Sequence, residues 1–200
     1  MIAIVDYGMG NLRNVHRACR EIGTEGKVTS DPGAIRDASE VILPGVGAFG
    51  EAVKRIEGLG LREPILRHAG AGKPLLGICL GMQLLYEGSE ESPGARGLGL
   101  LPGRVRKFGE GVKVPHIGWN DVYPVQDARL FDGKGGVFYF VHSFYAAIGP
   151  ETCARAEYGV PFSAAVGKGN VLGVQFHPEK SQSAGLALLR RFAAIATEAH

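Results

Sequence analysis

One cysteine in this sequence stands between two glycines, in a pattern that could activate a thiol. The pattern is Gly-x-Cys-x-Gly, formed by Gly77, Cys79 and Gly81. It is the thiol form of the tight strand-to-helix turn that presents a nucleophile, where glycines are needed because backbone crowds the central residue. Such a turn places the sulfur at a helix N-terminus, whose partial positive charge favours the thiolate. The same pattern also fits a buried structural cysteine beside helix-packing glycines, because short motifs recur by chance.

A histidine and a carboxylate follow a predicted strand near the end of the chain. The apolar strand 171–176 leads directly into His177, Pro178 and Glu179. Residues two apart in an extended segment point the same way, and the proline keeps His177 extended, so the carboxylate could orient the imidazole. A cysteine far away in sequence then completes the nucleophile, base and orienting group of covalent catalysis. The alternative is a loop histidine beside a solvated glutamate.

A glycine-rich turn follows another predicted strand. Strand 40–43 ends in Pro44-Gly45-Val46-Gly47, and a helix is predicted over 51–58. Free backbone N–H groups in such a turn could hold a phosphate or an oxyanion, although a plain tight turn has the same pattern. If strands 40–43 and 75–78 are parallel neighbours, this turn lies beside the cysteine turn.

The elements that must position these groups alternate along the first half of the chain. Short apolar runs predict buried strands, and helices with an apolar stripe separate them, as parallel crossovers require. The predicted strands are 2–5, 27–29, 40–43 and 75–78, and the predicted helices are 12–22, 51–58, 61–68, one beginning at residue 80, and 181–198. Asn11 is expected to cap the first helix, whereas Asp31 and Pro32 are expected to break the chain.

Between about residues 97 and 166 the pattern changes to short strands joined by turns. Strands are predicted at 103–108, 137–141 and 152–158. No linker precedes this region, so we interpret it as an antiparallel portion added to the sheet of one α/β domain over residues 1–200. Trp119 follows no period, and we expect a buried aromatic residue there, with an interface residue as the alternative.

Composition excludes several classes of protein. The 200 residues are 45% hydrophobic and 21% charged with a formal net charge of +2, and no basic stripe suggests nucleic-acid binding. The N-terminus lacks the pattern of a signal peptide, and no apolar run reaches the ~20 residues that span a bilayer. Three separated cysteines favour a reducing compartment, here the cytoplasm. The six histidines form no i,i+4 pair and no Cys-x-x-Cys accompanies them, so no metal site is expected.

Taken together, these motifs resemble the class I glutamine amidotransferase family. The resemblance is carried by the cysteine motif followed by Gln83, by the Pro-Gly-x-Gly turn and by His-Pro-Glu at 177–179. Three further strings, 115–120, 139–144 and 175–181, resemble, within that family, the glutaminase subunits of imidazole glycerol phosphate synthases. The resemblance runs from end to end. It implies a flavodoxin-like open sheet, largely parallel with an added antiparallel portion and helices on both faces, and no cofactor.

The resemblance also implies roles for particular residues. Cys79 would attack the side-chain amide of L-glutamine, His177 would transfer protons and Glu179 would hold the imidazole. The oxyanion would meet the N–H of Leu80 and an N–H from the turn, at Val46 or Gly47. The implied substrate contacts are Gln83, Glu91 and Ser143, with Glu87 and Glu90 close to the second of these.

A glutaminase of this kind needs a partner that uses the ammonia. The resemblance implies a (β/α)8-barrel cyclase that forms a heterodimer with it in histidine biosynthesis. The candidate interface residues are Asn11, Trp119, Tyr139 and Lys180. Three alternatives stay open: a glutaminase serving pyridoxal phosphate, anthranilate or purine synthesis; a Cys-His-Glu γ-glutamyl hydrolase or peptidase; and a binding module without activity.

Overall fold

The computed structural model of the protein describes residues 1–126 and 128–198. Within those ranges the strands are β1 (Ile2–Val5), β2 (Gly26–Thr29), β3 (Glu40–Gly45), β4 (Leu75–Cys79), β5 (Tyr86–Ser89), β6 (Leu101–Lys107), β7 (His116–Pro124), β8 (Gly136–His142), β9 (Phe144–Tyr145), β10 (Thr152–Tyr158), β11 (Val160–Lys168) and β12 (Val171–Val174). The helices are α1 (Leu12–Glu21), α2 (Pro32–Asp37), α3 (Phe49–Gly58), α4 (Arg62–Gly70), α5 (Leu80–Leu84) and α6 (Gln182–Glu198), and Pro178–Lys180 forms a 3-10 turn.

A nine-stranded sheet organises the molecule. Its strand order is β2-β1-β3-β4-β12-β11-β10-β7-β8, and β5, β6 and β9 form a smaller sheet. The pairings from β2 to β12 are parallel, and those from β12 to β8 are antiparallel. The predicted α/β fold with an added antiparallel portion is therefore confirmed, and the ladder of strands runs through both portions without a break.

The central parallel strands are buried on both faces because helices cover the sheet from both sides, whereas β2 at the edge is partly exposed. All residues of β1, β3, β4 and β12 are buried. Ile2 and Ile4 pack in the core that includes side chains of α1 and α6, whereas Ala3 and Val5 pack in the core on the other face, with α2 to α5. Continuous apolar runs are the pattern expected of strands covered in this way.

One helix start was not predicted, and one predicted helix cap is absent. β2 ends at Thr29, before the break expected at Asp31 and Pro32, but these two residues also begin α2, because the Asp31 carboxylate accepts a hydrogen bond from the Gly33 N–H at 2.9 Å and proline suits the first helical position. Asn11 precedes α1 but makes no side-chain capping hydrogen bond.

Four of the strands were not predicted. They are β7 and β11 in the antiparallel portion and β5 and β9 in the smaller sheet, and β6 begins two residues before its predicted start. Only His116 and Val122 of β7 are buried, so the strand carries little of the apolar alternation that identifies a strand in a sequence. No helix in the described part of the chain is both long and apolar enough to cross a membrane.

Candidate active site

The cysteine turn has the strained geometry that its glycines predict. Cys79 ends β4 and precedes α5, with φ 55° and ψ −110°. A Cβ at residue 77 would lie 2.6 Å from the Met82 nitrogen, and one at residue 81 would collide with the Leu43 carbonyl oxygen. The requirement for Gly77 and Gly81 is therefore steric, and it holds the thiol at the point where strand becomes helix.

The histidine and the glutamate meet as predicted, but through a different backbone conformation. His177 Nδ1 lies 2.8 Å from a Glu179 carboxylate oxygen, and the two side chains are 2% and 1% exposed. His177 is extended, whereas Pro178 begins the 3-10 turn that carries Glu179. The prediction of a continuously extended segment is wrong, because the turn, and not alternation along a strand, brings the carboxylate behind the ring.

The His177 imidazole interacts electrostatically with Cys79. β12 pairs with β4, with Val174 opposite Ile78, so Cys79 at the end of β4 and His177 just beyond β12 lie at the same edge of the sheet. Burial lowers the pKa of His177, but interactions with Cys79 and then with Glu179 outweigh burial and raise it to about 10. Its Nε2 is buried and has no hydrogen bond of ordinary geometry within the described residues. An imidazole in this setting would keep a proton received from the thiol at neutral pH.

The glycine-rich turn lies beside the thiol. β3 pairs with β4 so that Gly45 stands opposite Cys79. Val46 and Gly47, the latter with φ 105°, line a cavity of about 280 Å³ together with Cys79 and Leu80. The structure thus brings the predicted oxyanion-hole residues to one cavity. Because N–H groups preset around a developing negative charge stabilise it, this arrangement suits acyl transfer.

Tyr7 supports this turn, and sequence reasoning missed it. Its hydroxyl donates a 2.8 Å hydrogen bond to the Pro44 carbonyl, and the side chain is 1% exposed. Burial, with a smaller contribution from Cys79, raises the pKa of Tyr7 above its usual value. Position 7 follows β1, whose parallel neighbour is β3, and that adjacency was the only signal that could have indicated its role.

The three predicted substrate contacts line the same cavity. Gln83, Glu91 and Ser143 all face it, and Pro115, Val141, His142 and Phe144 complete its wall. Gln83 is 5% exposed, so it is a buried residue of α5 and not a solvent-facing one. Its amide nitrogen donates to the Phe144 carbonyl and to the Gln175 side-chain oxygen, each at 3.1 Å.

The structure distinguishes Glu91 from its two acidic neighbours. A Glu91 carboxylate oxygen accepts from the Phe49 N–H at 2.7 Å, at the start of α3, where the flanking Ala48 offers no side-chain cap. Glu87 and Glu90 accept from backbone N–H groups of residues 103 and 107 instead, and neither lines the cavity. Glu91 therefore faces the cavity while it caps the helix that follows the turn.

Three of the four interface candidates form one cluster. Trp119 pairs across strands with Tyr139, with ring centroids 6.0 Å apart, and the Lys180 ammonium lies 5.5 Å from the Tyr139 ring. Trp119 is 49% exposed, so the prediction of a buried aromatic residue is wrong. Trp119 and Tyr139, together with the exposed Ile117 and Val137, form what we call the β7–β8 apolar face. Asn11 precedes α1, whose Asn14 lines a groove together with Lys180.

The described residues outside the cavity offer neither a metal site nor a second activated cysteine. Within residues 1–126 and 128–198, no three His, Cys, Asp or Glu side chains are grouped so that they could hold a metal ion. Cys19 and Cys153 are buried away from the cavity, and burial raises the pKa of Cys19 to about 11. Of the cysteines, Cys79 is the one that combines a strained turn with an adjacent acid–base pair.

Comparison with known proteins places the chain in a family. The model of class-I glutamine amidotransferases matches residues 3–196, and the chain belongs to that family. It is 51% identical to the imidazole glycerol phosphate synthase subunit HisH of Methanothermobacter thermautotrophicus over 98% of each chain. It is 48% identical to the HisH subunit of Desulfitobacterium hafniense over 96% of this chain and 93% of that one. A crystal structure of a glutamine amidotransferase shares the fold, with a TM-score of 0.76 at 22% identity, over 98% of this chain and all of the other.

Proposed function

We propose that this chain is the glutaminase subunit of imidazole glycerol phosphate synthase, a cytoplasmic enzyme of histidine biosynthesis, with residues 1–200 as one glutaminase domain. The observation that carries the activity is the convergence of a strained cysteine turn and a buried His–Glu pair at the ends of adjacent parallel strands. The near full-length similarity to HisH subunits supports the particular pathway.

The reaction begins with proton transfer from Cys79 to His177, which Glu179 holds through Nδ1. The sulfur attacks the side-chain amide carbon of glutamine, and the carbonyl oxygen takes the negative charge against the N–H of Leu80 and an N–H of Val46 or Gly47. Collapse of this intermediate breaks the C–N bond, and His177 gives its proton to the departing ammonia. Water then hydrolyses the thioester to glutamate, with the imidazole acting as base and then acid.

The remaining cavity residues recognise the amino-acid end of glutamine. Glu91 offers a carboxylate to the α-ammonium group, while Ser143 and Gln83 offer polar atoms to the same end of the substrate. This assignment is supported by their shared cavity and by the engagement of Glu87 and Glu90 elsewhere.

The ammonia passes to a (β/α)8-barrel cyclase that forms a heterodimer with this subunit. The β7–β8 apolar face supports a docking surface of this kind, because an exposed tryptophan among apolar neighbours is typical of an interface anchor. Lys180 and Asn11 belong to the proposed interface as polar contacts.

The test is a glutamate-release assay on the complex with the cyclase, using wild type and Cys79→Ala. Wild type should release glutamate from glutamine and support the cyclase reaction. Cys79→Ala should lose both, yet support the cyclase reaction when ammonium salt is supplied. Retention of glutamine turnover by Cys79→Ala would refute the assignment of the nucleophile.

The same assay separates the alternatives. Stimulation by the cyclase, and not by synthases of the pyridoxal phosphate, anthranilate or purine pathways, supports the histidine pathway. Cleavage of γ-glutamyl peptides without any partner would indicate a hydrolase instead. Glutamine binding without turnover in every pairing would indicate a module without activity.

A further inference from the structure

Two buried histidines beside the cavity have no part in the proposed reaction. His116 on β7 is 3% exposed and His142 at the end of β8 is 6% exposed. His142 lines the glutamine cavity, whereas His116 lies behind it. The two rings are joined by a 3.0 Å contact between His116 Nδ1 and His142 Nε2.

The partners of these rings fix the position of each proton. His142 Nδ1 lies 2.8 Å from the Phe144 carbonyl oxygen, which can only accept, so Nδ1 donates. In a neutral ring Nε2 then accepts, and His116 Nδ1 must be its donor. His116 Nε2 is left as the acceptor for the Asn120 amide, at 3.4 Å. A directed chain of hydrogen bonds therefore runs from Asn120 through both rings to Phe144.

Burial keeps both rings in the neutral form that this chain of hydrogen bonds requires. Burial lowers the pKa of His142 to about 3, although the hydrogen bond to Phe144 opposes the shift. Burial lowers the pKa of His116 to about 4. Protonation of either ring would turn an accepting nitrogen into a donor and break the chain.

One end of this chain of hydrogen bonds lies at groups that shape the cavity. The Phe144 carbonyl that accepts the hydrogen bond from His142 Nδ1 also accepts one from the Gln83 amide at 3.1 Å. The same amide donates to Gln175, whose own nitrogen lies 3.7 Å from the Cys79 sulfur. At the other end, Asn120 follows Trp119 directly and donates to the Glu157 carbonyl of β10 at 2.8 Å.

Aromatic packing accounts for only part of this arrangement. His116 stacks on Tyr158 and Phe140, with ring centroids 4.0 and 5.0 Å apart, and a phenylalanine would fill similar space. Packing does not require that the ring nitrogens be engaged by polar partners in one consistent direction. Because both nitrogens of His142 bond to protein, the ring offers the substrate no further donor or acceptor.

We propose that His116 and His142 are positioning residues that form a neutral hydrogen-bond relay, which fixes the Phe144 carbonyl and Gln83 in the glutamine cavity and joins them to β7 beside Trp119. The relay rests on the proposed glutaminase function. It makes His142 a determinant of glutamine binding without contact between its polar atoms and the substrate.

The experiment measures kcat and KM for glutamine in the complex with the cyclase. His142→Phe keeps the ring and removes both hydrogen bonds, and it should raise KM on the order of tenfold with a smaller change in kcat. His142→Asn restores a donor near the position of Nδ1 and should recover most of that loss. His116→Phe should have a weaker effect on KM, because the Phe144 bond survives.

The matched control is His68→Phe. His68 is 1% exposed and one ring nitrogen lies 3.0 Å from the Pro74 carbonyl, but the residue is on α4 and does not line the cavity. This variant should lower the melting temperature and leave KM unchanged. If His142→Phe behaves in the same way, packing alone explains the pair and the relay is wrong.

The outcomes stay separate from the test of the proposed function. If the wild-type complex releases no glutamate, the proposed function fails, and the relay fails with it. If wild type is active and no histidine variant changes KM, only the relay fails. Should His142→Phe not fold, His142→Asn and His142→Gln decide, because Asn keeps the donor near Nδ1 and Gln does not. A KM near that of wild type for Asn alone supports the relay, and equal values for both overturn it.

Discussion

The two portions of the nine-stranded sheet serve the site in different ways. The parallel portion, from β2 to β12, ends in the cysteine turn, the glycine-rich turn and the His–Glu pair. The antiparallel portion, from β11 to β8, supplies the cavity wall at Val141 and His142 and the β7–β8 apolar face. The carboxyl ends of parallel strands converge at one edge, which suits a reaction that needs several groups at one point.

The difference lies in burial as well as in direction. The central parallel strands are covered on both faces, so they can hold Cys79 at a positive φ that the rest of the structure must enforce. The antiparallel pair β7 and β8 leaves side chains such as Trp119 and Ile117 exposed. We therefore expect substitutions in the parallel portion to act on the chemical step and the turn, and those in the antiparallel portion to act on binding.

The largest effect is expected for His177→Asn in the parallel portion. Loss of the base that accepts the thiol proton should reduce kcat for glutamine on the order of 10³-fold, with a small change in KM. The measurement is steady-state glutamate release in the complex with the cyclase. His68→Asn, which changes a buried histidine away from the cavity, should retain nearly wild-type kcat. A comparable loss in both variants would show that the effect is one of folding.

The next effect concerns the turn itself. Gly81→Ala should lower the free energy of unfolding by about 3 kcal/mol and abolish most activity, because the new Cβ collides with the Leu43 carbonyl. Urea unfolding followed by circular dichroism measures the change. The control is Gly70→Ala at the end of α4, where an added Cβ meets no atom within 4 Å, and stability there should be equal or slightly higher. Equal stability of both variants would contradict the steric account of the turn.

The same contrast between the two portions explains which elements could be predicted. Continuous apolar runs such as Ile2–Val5 predict their strands almost to the residue, because burial on both faces leaves a strong pattern. β7 alternates weakly, with exposed Ile117 and Trp119 on one face, and no period reveals such a strand. Its place between β8 and β10 depends on tertiary pairing.

The residues of the site also differ in whether the sequence could predict them. Cys79 and His177 can be found because local glycines and a proline mark them in the sequence. Tyr7 could not be found, since its role depends on the 2.8 Å bond to Pro44, which a strand pairing creates. The exposure of Trp119 could not be predicted either, because apolar composition alone indicates burial.

On the antiparallel side, Trp119→Ala should weaken binding of the cyclase. Loss of an exposed aromatic anchor at the centre of a docking face typically costs about 2 kcal/mol, or roughly 30-fold in Kd. Isothermal titration calorimetry with the cyclase measures the change, while glutamate release at saturating cyclase should fall less. Val28→Ala, on β2 at the opposite edge of the sheet, should leave Kd unchanged. An unchanged Kd for Trp119→Ala would place the docking surface elsewhere.

Acid should destabilise the antiparallel portion through its histidine pair. The folded-state pKa values of His142 and His116, about 3 and about 4, lie below the unfolded value of about 6.5. As the pH falls from about 6.5 toward 4, the histidines of the unfolded chain bind protons while the folded rings stay neutral, so the free energy of unfolding decreases. Urea unfolding at pH 7 and pH 5 should show a smaller decrease for His142→Phe than for wild type. Equal decreases would show that other groups set the acid sensitivity.

The smallest effect is expected for Tyr7→Phe, which tests the difference between the parallel and antiparallel portions of the sheet with a single hydroxyl group. The variant removes one buried hydroxyl that donates to the Pro44 carbonyl, a bond whose loss typically costs about 1 kcal/mol. Because that carbonyl precedes the candidate oxyanion turn, kcat should fall roughly fivefold while KM for glutamine stays the same. Tyr158→Phe removes a tyrosine hydroxyl bond of the same 2.8 Å length, although an exposed one, to the Lys113 carbonyl in the antiparallel portion. It should leave kcat unchanged, and an equal fall in both variants would mean that the role of a residue does not depend on the portion of the sheet that carries it.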